Sequence, residues 1–275
     1  MTKREALIWG RKVLEENDVP HSDFDAKTLL EYVLHVDYGR ILMDESTDLS
    51  EDERDKYQAF IERRRRRIPL QHIMNYTEFM GLLFSVSKDV LIPRQDTECV
   101  VEWILPIAKN KRILDLCTGS GCIGISIAVL GESAEVDCSD ISEEALHLAK
   151  ENAENNQVKV RVIKSDLFRD ITGKYDIIVS NPPYIRTDDI NGLMPEVRDH
   201  EPKMALDGGE DGCFFYRQII SEASSFLNPE GLLVFEIGCE QAEYVSEYMK
   251  KSGYSNIRVG KDLSGNDRIV GGVWK

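Results

Sequence analysis

The chain has 275 residues, 42% of them hydrophobic and 30% charged, a length that favours two domains and a composition typical of globular proteins. No segment approaches the roughly 18 uninterrupted apolar residues of a membrane span, and the N-terminus lacks the apolar core of a signal peptide, so we expect no membrane contact and a cytoplasmic location. The net charge of −15 argues against stable DNA binding, which usually needs a basic face.

Residues 1–70 predict a small all-helical domain. Apolar residues recur there at helical spacing, and Ser50 with Glu53 forms a capping box that predicts a helix of about four turns. This helix runs into five arginines, Arg63–Arg67, and Pro69 ends it. Two interpretations of the arginines have equal weight. They stabilise the negative end of the helix dipole, or they contact an acidic partner such as RNA.

Residues 71–95 are rich in β-forming side chains around Gly81, and they predict a β-hairpin linker. In a third segment, residues 96–275, Thr97 is expected to cap a helix that reaches about Ala108, and strands then alternate with helices. Such alternation predicts the α/β class, with a mostly parallel seven-stranded sheet covered by helices on both faces. Strands are predicted at 112–116, 135–139, 158–163, 175–180, 232–237, 255–259 and 268–273, and helices at 142–155, 211–226 and 240–251.

The first strand of the sheet ends in Asp115 and a glycine-rich turn. Ligands bind at the carboxyl ends of parallel strands, and glycines let the backbone approach a ligand at the N-terminus of the next helix. The spacing Gly119-x-Gly121-x-x-Gly124 also fits dinucleotide enzymes, but a carboxylate before the glycines would repel a pyrophosphate. Because it suits an ammonium and a sulfonium, we expect S-adenosylmethionine as the cofactor.

Two further strand ends carry acids. Asp140 stands where a carboxylate commonly holds a ribose diol, and it fits the strand end better than Asp137, which is typical of a strand surface. Asp166 follows the next strand and can accept a hydrogen bond from an adenine amino group, with Leu167 or Phe168 covering the ring. The structural alternatives are a helix-entry acid for Asp140 and a solvated loop acid for Asp166.

The fourth strand is followed by Asn181-Pro182-Pro183-Tyr184. Two prolines fix the backbone and remove two N–H donors, so the Asn181 oxygen and the Pro182 carbonyl can both accept from one NH2 group. Tyr184 offers a face for a planar group. An amide nitrogen is a poor nucleophile, and two acceptors would draw electron density onto it and aim it at a methyl group. The tetrapeptide therefore predicts methylation of a planar amide or amino nitrogen.

From about residue 68 to its end, the chain resembles the release-factor glutamine methyltransferases of the HemK type. The tetrapeptide alone marks a wider class that includes nucleic-acid amino methyltransferases, so the narrower likeness rests on other segments. Gln95 and Leu167 depart from the family, which usually has a proline and often an aromatic residue there. The segments are 90–98, 201–202, 205–212, 216–217 and 261–268.

The resemblance implies a Rossmann-like, class I S-adenosylmethionine-dependent methyltransferase fold. It also implies the substrate, which is the glutamine of the Gly-Gly-Gln loop of peptide chain release factors, methylated on its side-chain amide nitrogen. The helical domain would help to bind the factor, the hairpin would act as a hinge, and we expect a monomer. The expected catalytic residues are Asn181, Pro182 and Tyr184, the substrate-binding residues add Pro183, and the cofactor-binding residues are Asp115, Cys117, Thr118, Gly119, Ser120, Gly121, Asp140, Asp166, Leu167 and Asn181.

Two rival functions remain at the level of sequence. The first is methylation of an exocyclic amine in nucleic acid, against which the net charge of −15 argues. The second is a non-enzymatic interaction module, against which the intact Asn181 and Tyr184 argue. The six cysteines show no metal-ligand spacing, so we expect reduced thiols and no metal site.

Overall fold

The computed structural model describes residues 1–132 and 134–275, and its contacts divide them into two units. The first unit is Met1–Asn75 with Met194–His200, and the second is Tyr76–Leu193 with Glu201–Lys275. The helices are α1 (Lys3–Glu15), α2 (Ser22–Leu34), α3 (Tyr38–Met43), α4 (Glu51–Arg65), α5 (Leu70–Met74), α6 (Gln95–Ile104), α7 (Cys122–Leu130), α8 (Glu143–Asn155), α9 (Pro195–Arg198), α10 (Phe214–Ala223) and α11 (Ala242–Lys251). The strands are β1 (Tyr76–Phe79), β2 (Leu82–Ser85), β3 (Arg112–Leu116), β4 (Glu135–Asp140), β5 (Arg161–Lys164), β6 (Tyr175–Ser180), β7 (Leu227–Glu236), β8 (Tyr254–Lys261) and β9 (Asp267–Trp274).

The first unit is helical around its own apolar core. Leu14, Leu29 and Ile61, from α1, α2 and α4, are fully buried in one cluster. The predicted capping box at the start of α4 is confirmed, because the Ser50 hydroxyl accepts from the Glu53 amide and the Glu53 carboxylate accepts from the Ser50 amide. Helices α3 and α5 were not predicted, because segments of six and five residues are too short to show a helical period.

Inside the first unit the arginine run is bound by carboxylates of the chain itself. Arg64 is buried and donates to Asp25 at 2.6 Å and to Glu196 at 2.9 Å. Arg67 donates to both oxygens of Glu196 at 2.7 Å. The acidic partners of these two arginines are therefore residues of the chain itself, in α2 and α9. Arg65 and Arg66 pair with Glu62, and Arg63 donates to the carbonyl of His72.

The second unit is built on a seven-stranded sheet in the order β5-β4-β3-β6-β7-β9-β8. The strands from β5 to β7 are parallel, whereas β9 runs antiparallel to both of its neighbours. Ile113 and Leu114, adjacent in β3, enter different apolar clusters, as the alternation of side chains along a buried strand requires. The predicted fold class, a mostly parallel sheet covered on both faces, is confirmed.

The hairpin β1–β2 turns at Gly81, whose φ of 72° suits glycine. Its Phe79 and Phe84 rings meet edge-on at 5.9 Å and are buried with Val100 of α6. The contacts thus group the hairpin with the second unit and place residues 194–200 in the first. The division into residues 1–70, 71–95 and 96–275 stays a prediction.

Several predicted boundaries move in the structure. Thr97 does not cap α6, which begins two residues earlier; Thr97 lies in its first turn and is buried. Helix α10 begins at Phe214 rather than residue 211, because the Asp211 carboxylate accepts from the Cys213 amide and closes a turn first. Ser142 caps α8 as predicted, accepting from the amide of Ala145.

Candidate active site

A cavity of about 260 Å³ opens at the carboxyl ends of β3, β4, β5 and β6. This is the edge where an open parallel sheet binds its ligands, beside the point where successive strands diverge from β3. Its lining brings together most of the predicted cofactor residues and part of the tetrapeptide: Cys117, Thr118, Gly119, Ser120, Asp140, Asp166, Leu167, Asn181 and Pro183.

The turn after β3 forms one wall of this cavity. Gly119 and Gly121 have φ values of 54° and 83°, and a Cβ added to Gly121 would lie 2.6 Å from the Ile125 side chain. The Thr118 amide donates to the Ser139 carbonyl, which ties the turn to the end of β4. The glycines therefore permit the close approach of backbone that the sequence predicted.

Asp115 lies behind the turn and not on the cavity wall. Its side chain is fully buried and accepts from the Thr118 hydroxyl at 2.5 Å and from the Gly124 amide at 2.9 Å. Burial raises the pKa of this carboxyl to about 7. Asp115 thus supports the turn, and Gly121 likewise stays off the wall. The contact of Asp115 with a cationic cofactor stays a prediction.

Asp140 closes β4 and does line the cavity. Its two carboxylate oxygens accept from the Gly119 amide at 2.9 Å and from the Ser142 amide at 3.0 Å, while burial raises its pKa. Asp137 is instead bound to Arg161 and to the Tyr175 hydroxyl, outside the cavity. The choice of Asp140 over Asp137 as the acid at the strand end agrees with this geometry.

The loop after β5 separates the two candidates for an apolar cover. Leu167 lines the cavity with a positive φ of 47°. Phe168 is buried in the core and stacks on Phe226, with ring centroids 4.7 Å apart. Asp166 is exposed at the cavity wall. Of the two residues that the sequence left open, Leu167 is the one that lines the cavity.

The tetrapeptide presents two of its residues to the cavity. Asn181 and Pro183 line it, whereas Pro182 is buried behind them and the Tyr184 ring packs against the core. The Tyr184 hydroxyl lies 3.5 Å from Glu236 Oε1, and burial raises its pKa to about 12. The predicted stacking face of Tyr184 is therefore directed into the protein.

Hydrogen bonds from Gln241 and Gly208 hold the backbone at the end of the tetrapeptide. The Gln241 side chain donates to the Tyr184 carbonyl at 3.1 Å, and the Gly208 amide donates to the Ile185 carbonyl at 2.8 Å. A Cβ on Gly208 would lie 2.7 Å from the Tyr184 Cα. Among the described residues no donor reaches the Pro182 carbonyl oxygen.

Comparison with known proteins gives the family. Residues 96–195 match the model of the methyltransferase small domain, and residues 5–74 match the PrmC N-terminal domain. A release factor glutamine methyltransferase of Clostridium acetobutylicum is 41% identical over 98% of both chains. One from Geobacter sulfurreducens is 40% identical over 98% of this chain and 96% of its own. The chain belongs to the release factor glutamine methyltransferase family.

Solved structures support the fold of this family member. A methyltransferase from Pyrococcus furiosus has a TM-score of 0.55 at 20% identity, covering 70% of this chain and 89% of its own. A Thermus thermophilus rRNA methyltransferase, solved with S-adenosylmethionine and guanosine, has a TM-score of 0.53 at 16% identity, covering 73% of this chain and 50% of its own. The chain is an S-adenosylmethionine-dependent methyltransferase with the class I fold.

Residues 89–97 form a wall of the methyltransferase cavity that the residue patterns alone did not predict. Val90, Pro93, Arg94 and Thr97 line it, although only the family resemblance had marked this segment. Arg94 carries the one cationic side chain of the described lining, and it donates to the buried Glu201 at 2.6 Å. Pro202, Met204, Ala205 and Phe215 also line the cavity. The family resemblance had marked the segments of Pro202 and Ala205, whereas no signal in the sequence singled out Met204 and Phe215.

The described residues contain no cluster of His, Cys, Asp and Glu that could hold a metal ion. The six cysteines are free thiols in the structure. Within the same described part of the chain, no helix is long and apolar enough to cross a membrane.

Proposed function

We propose that this methyltransferase transfers a methyl group from S-adenosylmethionine to the side-chain amide nitrogen (N5) of the glutamine in the Gly-Gly-Gln loop of peptide chain release factors. The names of the relatives and the lining of the cavity by Asn181 support the proposal. The observation that carries it is the place of Asn181 on the cavity wall, next in the chain to a Pro182 carbonyl to which no donor is bound, since two acceptors would match one NH2 group.

The cofactor would lie along the strand ends. Asp140 would hold the ribose hydroxyls, Asp166 and Leu167 the adenine, and the turn at Gly119 the amino-acid portion, with Arg94 facing its carboxylate. When bound, the cofactor supplies a methyl group on a sulfonium, which is an excellent leaving group. The cavity is lined by acidic side chains, one cationic side chain and apolar residues. This lining fits a ligand that carries positive and negative groups and a planar ring.

The chain's own contribution is to position the amide nitrogen. The Asn181 oxygen and the Pro182 carbonyl accept from its two N–H groups, which draws electron density onto nitrogen and aims its lone pair. Gln241 and Gly208 keep these acceptors in place through the backbone of the tetrapeptide. Because the amide loses its proton only after transfer, no general base is needed beforehand.

The same acceptors would serve an exocyclic amine of a nucleic acid, which is the second candidate function. The net charge of −15 opposes a polyphosphate partner, and the buried Arg64 and the chelating Arg67 are occupied by carboxylates. We further propose that the helical unit contributes to binding the release factor, and that the enzyme acts as a cytoplasmic monomer.

Incubation with methyl-labelled cofactor and either a release factor or DNA distinguishes these functions. We expect label on the release factor and none on DNA, and label on DNA alone would contradict the proposal. Replacement of Asn181 by alanine removes one acceptor and should lower kcat by about 100-fold or more, the scale of losing one such hydrogen bond to the reacting group. An unchanged kcat would show that this asparagine does not orient the nucleophile, and no transfer at all by the wild type would favour an interaction module.

A further inference from the structure

Behind the tetrapeptide lies a carboxylate that the proposed reaction does not use. Glu236, the last residue of β7, is 2% exposed. Its side chain accepts one long hydrogen bond, from the Tyr184 hydroxyl to Oε1 at 3.5 Å. The other oxygen, Oε2, is buried without a partner among the described residues. A carboxylate without an ion pair of its own is costly to bury, so its position beside the tetrapeptide points to a function.

The neighbours of Glu236 lead to the reacting group through one hydroxyl. Thr97, buried in the first turn of α6, lies at the cavity wall, and its Oγ1 is 3.5 Å from Asn181 Nδ2. No hydrogen bond joins this hydroxyl to Glu236 among the described residues, but the unpartnered Glu236 Oε2 is an open acceptor for its proton. The hydroxyl lowers the pKa of the Glu236 carboxyl, while burial raises that pKa by more. Arg268 lowers the pKa of Glu236 by its charge, but its ion pairs are with Asp262 at 3.0 Å and Asp96 at 3.2 Å.

An asparagine amide has two ends of similar shape, and only one of them serves methyl transfer to an NH2 group. With its oxygen toward the cavity, Asn181 accepts a hydrogen bond from the substrate NH2 group. With its own NH2 toward the cavity, two donors would face each other and no hydrogen bond could form. The direction of the Thr97 hydroxyl decides between them. If that hydroxyl donates to Glu236, its lone pairs remain for the Asn181 NH2, and the amide oxygen must face the cavity.

We propose that Thr97 and Glu236 are positioning residues that fix the amide of Asn181 with its oxygen toward the substrate nitrogen. The inference rests on the proposed function, since it matters only for a nucleophile that must donate two N–H groups. Hydrogen bonds of 3.5 Å are long, as catalytic contacts often are before the substrate tightens them.

The proposed chain of hydrogen bonds from Glu236 through Thr97 to Asn181, here called the relay, has a direction that pH can reverse. A carboxylate at Glu236 can only accept from Thr97, but a protonated carboxyl can donate to it, and the threonine hydroxyl is then free to donate to the Asn181 oxygen. Burial raises the pKa of Glu236 to about 7, so the reversal falls near neutral pH. The ionisable groups that face Glu236 are Asp96 and Cys99 of α6, Cys122 of α7, Tyr184, Tyr216 of α10, and Arg268.

The test uses the full chain with a release factor and compares Thr97→Val, Thr97→Ser and Glu236→Gln. Valine keeps the shape of threonine without the hydroxyl, so kcat should fall about 10- to 100-fold while KM for the factor changes less than about threefold. Serine restores the hydroxyl and should recover most of that loss. The wild type should lose kcat as pH falls below about 7, and Glu236→Gln should remove this acidic limb even though Asp115 titrates in the same range.

Asp137→Asn is the matched control, because Asp137 is also a buried acid of the sheet but lies off the cavity wall, and its kcat and pH profile should match the wild type. A wild-type enzyme that fails to methylate the factor would overturn the proposed function, which is a separate result. The relay is overturned if the wild type is active and Thr97→Val keeps its kcat, if serine does not restore it, or if Glu236→Gln keeps the acidic limb. The relay is also overturned if the loss of kcat in these variants is fully explained by weaker cofactor binding or by a lower Tm.

Discussion

Asp140 joins two elements of the cofactor site through a single side chain. Its oxygens already accept from the Gly119 and Ser142 amides, so the carboxylate is fixed before any ligand arrives. Replacement by alanine should weaken binding of S-adenosylmethionine by about 1–3 kcal/mol, the range for losing a charged hydrogen-bond partner. Calorimetry measures this Kd, with Asp137→Asn as the control at an acid of the same strand. An unchanged Kd in Asp140→Ala would move the ribose contact elsewhere.

The raised pKa of Glu236 also makes the free energy of unfolding depend on pH. Burial raises its pKa from 4.5 to about 7, so the native state binds its proton more tightly than the unfolded chain. The resulting stabilisation is complete below pH 4.5 and is lost as pH rises to about 7. Glu236→Gln removes this loss and should be more stable than the wild type at pH 8, by up to about 3 kcal/mol.

Denaturant unfolding at pH 5 and pH 8 measures this difference between the two proteins. The gap between Glu236→Gln and the wild type should narrow toward pH 5. An equal difference in stability at both pH values would show that the pKa of Glu236 is not raised in the folded protein. A variant that is more stable but has lost the acidic limb of kcat would separate the positioning role of Glu236 from any role in folding.

At the scale of elements, Gly208 determines how closely two loops approach. A Cβ there would lie 2.7 Å from the Tyr184 Cα and 2.8 Å from the Pro183 carbonyl oxygen. Gly208→Ala should therefore displace the tetrapeptide and lower kcat by about 100-fold, as small misplacements of catalytic groups do. Gly192→Ala is the matched control, because nothing lies within 4 Å of its added Cβ. Equal kcat in both variants would contradict this role of Gly208.

Much of the second unit could be predicted from sequence because its strands are short apolar runs bounded by turns. The predicted limits of the strands at 112–116 and 175–180 coincide with β3 and β6. The strand ends then located Asp140, Leu167 and Asn181 at the cavity. These predictions needed only local pattern and the rule that parallel strands present their carboxyl ends together.

The remaining features depend on contacts between residues that are distant in sequence. Thr97 looked like a helix cap, but tertiary packing buries it beside Asn181, which is 84 residues later. Asp115 looked like a ligand of the cofactor, yet it lies off the cavity wall, where its Oδ2 accepts from Thr118 and Gly124. Phe168 and Leu167 are adjacent, and only the fold decides that one enters the core and the other the cavity.

At the scale of the whole molecule, the helical unit is held by a buried ionic cluster that includes a segment far along the chain. Arg64 bridges Asp25 and Glu196, 39 and 132 residues away. Burial raises the pKa of Asp25, whereas the hydrogen bonds from Arg67 and Arg64 outweigh burial and lower the pKa of Glu196 to about 2. The cluster therefore links the first 75 residues to the segment 194–200, which follows the tetrapeptide.

Removal of Arg64 should be far more harmful than removal of its neighbour. Arg64→Ala leaves Asp25 with an uncompensated buried charge and should destabilise the protein by about 3–5 kcal/mol. Arg65→Ala removes an exposed ion pair to Glu62 and should cost less than about 1 kcal/mol. Denaturant unfolding measures both. Similar losses in the two variants would show that the ionic cluster does not stabilise the helical unit.

The acidic surface, the helical unit and the cavity are all compatible with a protein substrate that presents one amide to Asn181 and the Pro182 carbonyl. The most direct test is peptide mass spectrometry of a release factor after incubation with S-adenosylmethionine and this enzyme. We predict one added methyl group on the glutamine of the Gly-Gly-Gln loop, and none when Asn181→Ala replaces the wild type. A release factor that stays unmodified at that glutamine, or that is methylated only at another residue, would contradict the proposed function.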